Sequence, residues 1–283
     1  MKDLRIAAVV FNSPVNNTSN NLERMVRWVK AAKKEGADVI CFPELNVTGY
    51  TTHEDIKGSA QPIPGPITRD LSNLAMREKI VILAGMAETD RKGEGGGVFA
   101  SHLVVKPDRT VDVYRKLHIS PPEQTMFKPG NRIPLFETHG IKYGIQLCYD
   151  AHFPELSTHM AVNGADLIFI SHASPRGTPE EKYRSWMRHL PARAYDNGLF
   201  VIACNQAGEN KKGLSFPGIA VVIGPSGEVI DKDLTGREGM LVADLNGKDL
   251  ARVRNHRMRY FLPNRRPELY KNRDRIPRGL PRG

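Results

Sequence analysis

Short apolar runs alternate with amphipathic stretches along nearly the whole chain, and this alternation limits the possible folds more than any other feature. Residues 4–12, LRIAAVVFN, are strand-like and almost wholly apolar. Over residues 20–35, Leu22, Met25, Val26, Val29 and Ala32 recur at helical spacing. Asn20 and Glu23 have capping-box spacing at the start of that helix, and Gly36 stops it. A short apolar strand, residues 37–44, ends in a carboxylate. A helix near 67–79 and a strand over 80–89 follow. Residues 93–97, GEGGG, make a flexible turn that lacks the dinucleotide and phosphate-loop patterns. VFASHLVVK and TVDVYRKLH then form a hairpin through Pro107-Asp108-Arg109.

The second half repeats the theme. Strands are expected over 142–150, 166–174 and 199–208, with a helix over 154–165. A helix over 180–197 should be kinked or interrupted by Pro191. Residues 218–230 read as a hairpin turning at Pro225-Ser226-Gly227, and the strand MLVADL and the helix KDLARVRN close the pattern. Alternating strands and helices argue for one α/β domain, 1–255, without an internal linker. Strands apolar on both faces should be covered on both sides.

Composition narrows the class. The chain has 283 residues, 40% of them hydrophobic, enough for a large core without disulfides or a structural metal. No apolar run is long enough to span a bilayer. The N-terminus runs straight into a charged strand-like segment, unlike a signal peptide. Three cysteines make no disulfide framework, so a reducing, cytoplasmic setting is expected. The net charge of +10 is concentrated at one end: ten Arg and one Lys against Glu268 and Asp274 give residues 252–283 a charge of +9. The remainder is close to neutral, unlike a nucleic-acid-binding domain. Residues 256–283 read as a basic extension, with 273–283 disordered.

A free thiol raises the question of chemistry. Cys41 and Cys204 lie inside apolar runs and read as core residues. Cys148 lies where a strand gives way to a helix opening at Pro154, where backbone amides can stabilise a thiolate and meet an oxyanion. Context alone leaves it open between core residue and nucleophile. Glu44 ends its strand as either a solvated loop carboxylate or a base, and Lys116 is either a surface lysine or a cation of a site.

The three segments around these residues are FPELNVTGY, YRKLHI and CYDAHFPE, in that order. Together they resemble the signature segments of the nitrilase superfamily, the carbon–nitrogen hydrolases, and the resemblance covers almost the whole chain. It implies a four-layer α-β-β-α sandwich with Glu44 as general base, Lys116 as stabiliser of the tetrahedral intermediate and Cys148 as nucleophile. It also implies a second active-site glutamate, for which Glu123 is the candidate. The Tyr149 backbone N–H would join Lys116 at the oxyanion, and no cofactor or metal is needed. True nitrilases of the family tend to follow the cysteine with Trp-Glu, and Tyr149-Asp150 here favours an amide or N-carbamoyl amine over a nitrile.

His152 is expected to line the pocket, and Arg176 to hold a substrate carboxylate or remain a solvated loop residue. His152, Glu155 and His159 share one helical face, but no metalloprotease pattern accompanies them. The expected partners are a small amide or carbamoyl substrate and a second copy of the chain, in a homodimer or larger assembly, with no nucleic acid and no membrane. Tyr260, Phe261 and Leu262 fit a subunit contact, and Trp186 and Met187 are either contact anchors or core residues. The competing classes are a catalytically silent scaffold and an anion- or nucleic-acid-binding protein.

Overall fold

The computed structural model describes residues 1–89 and 97–270. The first half contains β1 (Leu4–Val10), α1 (Thr18–Lys34), β2 (Val39–Cys41), α2 (Ile56–Ser59), α3 (Pro66–Glu78), β3 (Val81–Thr89), β4 (Val98–Val105) and β5 (Val111–Arg115). It continues with β6 (Phe136–Thr138), β7 (Ile141–Leu147), α4 (Pro154–Val162), β8 (Leu167–His172), α5 (Pro179–Trp186), α6 (Leu190–Asn197) and β9 (Phe200–Asn205). β10 (Ala207–Glu209), β11 (Ser215–Pro217), β12 (Ala220–Ile223), β13 (Val229–Asp233), β14 (Gly239–Leu245) and α7 (Gly247–Arg254) complete it. Residues 93–96 of the glycine-rich turn and the segment 273–283 lie outside the described residues.

Two six-stranded sheets form, in the orders β14-β1-β2-β3-β4-β5 and β13-β12-β9-β8-β7-β6. In each, three strands are parallel (β1, β2, β3 and β7, β8, β9) and the flanking strands are antiparallel. Within β1, Leu4, Ile6, Ala8 and Val10 join the core shared with the second sheet, whereas Ala7 and Val9 pack beneath α1 and α3. Side chains alternate across a strand, so a strand covered on both faces must be apolar throughout. β2 obeys the same rule: Val39 and Cys41 face the second sheet and Ile40 faces the helices. Met25, Val29 and Ala32 of α1 and Ile67, Leu71, Leu74 and Ala75 of α3 cover the outer face of the first sheet. Leu156 and Met160 of α4 and Leu190 and Ala194 of α6 are buried on the second-sheet side. The result is the four-layer α-β-β-α sandwich. Gly144 on β7 has no room for a Cβ because Met160 of α4 lies against its backbone, which sets how closely that helix approaches.

Two local expectations are corrected, and a third, the interruption near Pro191, is met. α1 begins at Thr18 behind Asn17, so Asn20 and Glu23 lie inside the helix and form no capping box. Asn16, at φ +58°, turns the chain into the helix earlier than the apolar spacing suggests. The strand around 142–150 ends at Leu147, and Cys148 already begins a 3-10 turn. The helix expected over 180–197 is two helices broken at residues 187–189, with Pro191 in the first turn of α6, where its missing N–H costs nothing. Thr178 caps α5, exchanging hydrogen bonds with Glu181 at 3.2 and 2.9 Å.

Trp186 is buried in this chain's own core rather than offered as an anchor on the surface. Leu262 packs onto the same core, and the exposed Phe261 ring lies 5.5 Å from Tyr195. No helix of the described residues is long and apolar enough to cross a membrane.

Candidate active site

The parallel strands of both sheets run toward one end of the sandwich, and the chain segments leaving them carry the polar residues. Sites in α/β proteins assemble at such carboxyl ends because backbone and loops there are free of the sheet ladder. The segment after β2 is clamped onto β3. Leu45 sits at φ +52°, and Gly85 of β3 lies so close to its nitrogen that a Cβ would collide. The Asn46 side chain accepts from the Gly85 N–H at 2.8 Å, the Val47 N–H donates back to the Gly85 carbonyl at 2.9 Å, and Thr48 Oγ1 accepts from the Ala87 N–H at 3.1 Å. From the other sheet Gln206 Nε2 donates to the Glu44 carbonyl at 2.7 Å. The residues following Glu44 in its motif therefore fix the glutamate's backbone.

Glu44, Lys116 and Glu123 meet in a sealed chain. Lys116 Nζ donates to Glu44 Oε1 at 2.8 Å and to Glu123 Oε2 and Oε1 at 2.8 and 3.0 Å. Their exposures are 0% for Glu44, 1% for Lys116 and 3% for Glu123. The second oxygen of Glu44 accepts from the Ala173 N–H, just beyond β8, at 3.1 Å. Glu123 accepts further hydrogen bonds from the Tyr50 hydroxyl at 2.9 Å and the Ser120 N–H at 3.1 Å. Tyr50 is itself covered by the β10–β11 ribbon, through Phe216 at a ring separation of 6.1 Å.

Three charges in one dry place decide each other's protonation. Burial pulls the Lys116 ammonium down, but the two carboxylates outweigh it and hold the group above the ordinary lysine range. Burial pushes Glu123 up, and Lys116 with the Ser120 hydrogen bonds outweighs it, so Glu123 stays ionised below its ordinary range. Glu44 is the opposite case. Burial is opposed by Lys116 and reinforced by the charge of Glu123, and it raises Glu44 to about 7. A carboxylate poised near neutrality can both accept and return a proton.

Cys148 follows β7 at φ +41°, a strained setting for a non-glycine residue, and is half-buried. Burial and then the charge of Glu44 push its thiol up to about 12, with Lys116 opposing and Glu123 reinforcing. The sequence reading allowed a stabilised thiolate here; burial, reinforced by the charge of Glu44, favours the protonated thiol instead. Proton removal must then accompany attack, and it requires the base alongside.

Asp150 was read from the sequence only as a sign against nitriles. It is fully buried and ties the cysteine turn to the Lys116 strand. Its Oδ2 accepts from the Leu147 N–H at 3.0 Å and the Tyr114 hydroxyl at 2.7 Å, and its Oδ1 meets the His118 N–H and Nδ1, both at 2.8 Å. Tyr114 and His118 stand two residues either side of Lys116. Period-two spacing puts all three on one side of an extended segment, a signal that was available in the motif.

The side chains of the other expected residues make their contacts elsewhere. Tyr149 is half-buried, with its ring 5.4 Å from Phe153. His152 is exposed, its ring 4.5 Å from that of His189. Arg176 is exposed in a loop held by its N–H to the Ser215 carbonyl at 2.9 Å. Among the described residues no hydrogen bond or ion pair joins His152 or Arg176 to Glu44, Lys116, Glu123 or Cys148, and no group of three or more His, Cys, Asp or Glu side chains is gathered so as to hold a metal ion.

The chain is similar to known proteins along nearly its whole length. A nitrilase of Pyrococcus abyssi is 31% identical over 274 residues, spanning 94% of this chain and 99% of its own. An omega-amidase of Mus musculus is 29% identical over 89% of this chain and 91% of its own. Among solved structures, the NitN amidase of Nesterenkonia sp. AN1 superposes with a TM-score of 0.80 at 26% identity, covering 95% of this chain and 99% of that one. Mutants of the Nesterenkonia amidase are also known with butyramide bound and with acrylamide added to the active-site cysteine. The sequence model of the carbon–nitrogen hydrolases matches residues 5–255. The chain therefore belongs to the carbon–nitrogen hydrolase family, and it is a hydrolase of carbon–nitrogen bonds other than peptide bonds.

Proposed function

We propose that the protein hydrolyses a small carboxamide through a thioester on Cys148. The observation that carries this reading is the buried Glu44–Lys116–Glu123 chain, with a strained, half-buried thiol in its electrostatic field. Amide carbons resist attack because the nitrogen donates into the carbonyl, so a thiol needs a base and the oxyanion needs a positive partner.

Glu44 takes the Cys148 proton as sulfur bonds to the carbonyl carbon. The carbonyl π pair moves to oxygen, where the Lys116 ammonium and the Tyr149 N–H receive the charge. Reclosing the carbonyl breaks the C–N bond, and the proton held by Glu44 passes to the departing nitrogen, releasing ammonia. Water then attacks the thioester while Glu44 takes one of its protons. The C–S bond breaks, the acid leaves and Glu44 returns the proton to sulfur. Glu123 binds neither reacting atom in this scheme; it keeps Lys116 charged and aimed. The raised Glu44 suits a group that must accept and donate in alternate steps.

A second reading, an N-carbamoyl amine as substrate, is favoured by similarity to the N-carbamoylputrescine amidase of Solanum lycopersicum, 29% identical over 94% of this chain. A nitrile is the third. Ammonia release from matched simple amides, N-carbamoyl amines and nitriles separates them, with mass spectrometry of quenched enzyme locating the acyl group. The expected outcome is turnover of amides with the added mass on Cys148. Turnover without an adduct at Cys148, even under rapid quenching of slow substrates, would count against the thioester.

A further inference from the structure

The surroundings of Cys148 contain a second cation, and among the described residues it pairs with no carboxylate. Beyond His172, the end of β8, the chain runs across the site. The Ala173 N–H donates to Glu44 at 3.1 Å, and then the Ser174 hydroxyl and the Pro175 carbonyl accept from Lys182 Nζ at 2.7 and 3.0 Å. Ser174 is held rigidly, because its N–H donates to Asn205 Oδ1 at 2.9 Å and its carbonyl accepts from Asn205 Nδ2 at 3.0 Å. Asn205 is fully buried. The ammonium is thus fixed by a turn whose preceding residue touches Glu44.

An ammonium has three N–H donors. Two of those on Lys182 meet neutral acceptors, and among the described residues no carboxylate lies within ion-pair distance of it. Burial pulls Lys182 below the ordinary lysine range, opposed by Cys148, which lies within its electrostatic reach.

His172 supplies a second, independent observation. It is 2% exposed, and neither ring nitrogen has a hydrogen-bond partner among the described residues. Its ring stacks on Trp186 at 4.2 Å. Trp186 stands one helical turn after Lys182 on α5, so the imidazole and the ammonium share one side of that helix. Burial holds the imidazole well below its ordinary range and therefore neutral, with one N–H to donate. The ring thus offers one donor and one acceptor that no other group of the described residues uses.

We propose that Lys182, with His172 beside it, anchors a carboxylate at the far end of the substrate, so that the enzyme prefers amides carrying a carboxylate over neutral amides of the same shape. The inference rests on the hydrolase reading of Cys148 and adds the substrate's second functional group. One ammonium N–H and one imidazole N–H match the two oxygens of a carboxylate, whereas a phosphate would bring a third oxygen without a donor. Lys182 is half-buried, unlike the exposed Arg176 that the sequence suggested for this task.

The test compares kcat/KM for succinamate and its neutral isostere 4-methylpentanamide in the wild type, Lys182→Met and Lys182→Arg. The wild type should favour succinamate. Lys182→Met should cut the succinamate-to-neutral ratio by about tenfold or more, mainly through KM, and Lys182→Arg should restore most of it. A purely structural lysine would lower both substrates together and leave the ratio in place. A wild type indifferent to the carboxylate, or an unchanged ratio in Lys182→Met, overturns the proposal. If neither amide is turned over, the hydrolase reading has failed separately. Calorimetry of succinamate with Cys148→Ala protein then decides the anchor: binding abolished by adding Lys182→Met supports it, and absence of binding overturns it.

Discussion

Two thiol environments sit close together in this molecule, and they differ in the opposite sense from what acidity alone would suggest. Cys41 and Cys204 lie between the two sheets, both fully buried, with Cys41 Sγ 3.4 Å from Ser171 Oγ and Cys204 Sγ donating to the Cys41 carbonyl at 3.8 Å. Against the upward push of burial, Cys204 and His102 lower the Cys41 thiol to about 6, while Cys148 is raised to about 12. Ranked by acidity, the sealed sulfur would be the nucleophile. Yet no substrate carbon can reach a thiol packed between two sheets, and among the described residues no carboxylate hydrogen-bonds it. Cys148 has access, a strained turn and Glu44 within electrostatic reach. Reactivity here comes from access and an adjacent base, with the proton leaving during attack rather than before it.

The largest effect that could break this comparison is on turnover. Cys148→Ala should lower ammonia release by about a thousandfold or more, while Cys41→Ala and Cys204→Ala keep it within about threefold. Residual activity that tracks Cys41 instead would reverse the assignment. Next in size is the pH response. Glu44 acts as a base only when deprotonated, and its folded value is raised, so kcat/KM should fall as pH drops through about 7 and level off above it. Glu44→Gln should erase that limb and cost about 10²- to 10⁴-fold in rate. A limb near the ordinary carboxylate value would mean that Lys116 outweighs burial. The smallest effect is on stability, and its order should be inverted. Urea denaturation should find Cys41→Ala and Cys204→Ala less stable by about 1–2 kcal/mol each, through lost packing between the sheets, and Cys148→Ala within about 0.5 kcal/mol of wild type. Equal losses at all three sites would show that the turn at Cys148 is packed like core.

The sequence by itself determined the alternation of strands and helices, the apolar strands covered on both faces, and the ordered motifs holding Glu44, Lys116 and Cys148. These are legible because burial is written locally: side chains alternate at period two in strands and at 3.6 in helices, and a motif is contiguous. Helix ends were less legible, since α1 starts by the backbone turn at Asn16 and the 180–197 segment breaks before its proline. Only the tertiary structure decided that Glu123 binds Lys116, that Asp150 joins Tyr114 and His118 to the cysteine turn, and that Lys182 is held by Ser174, next to the residue whose N–H meets Glu44. It also decided that Cys148 rests as a thiol and that Glu44 titrates near neutrality. Those outcomes depend on how closely segments from two facing sheets approach and on how little water remains between their charges. Both are sums over residues far apart in the chain, and no local pattern records them.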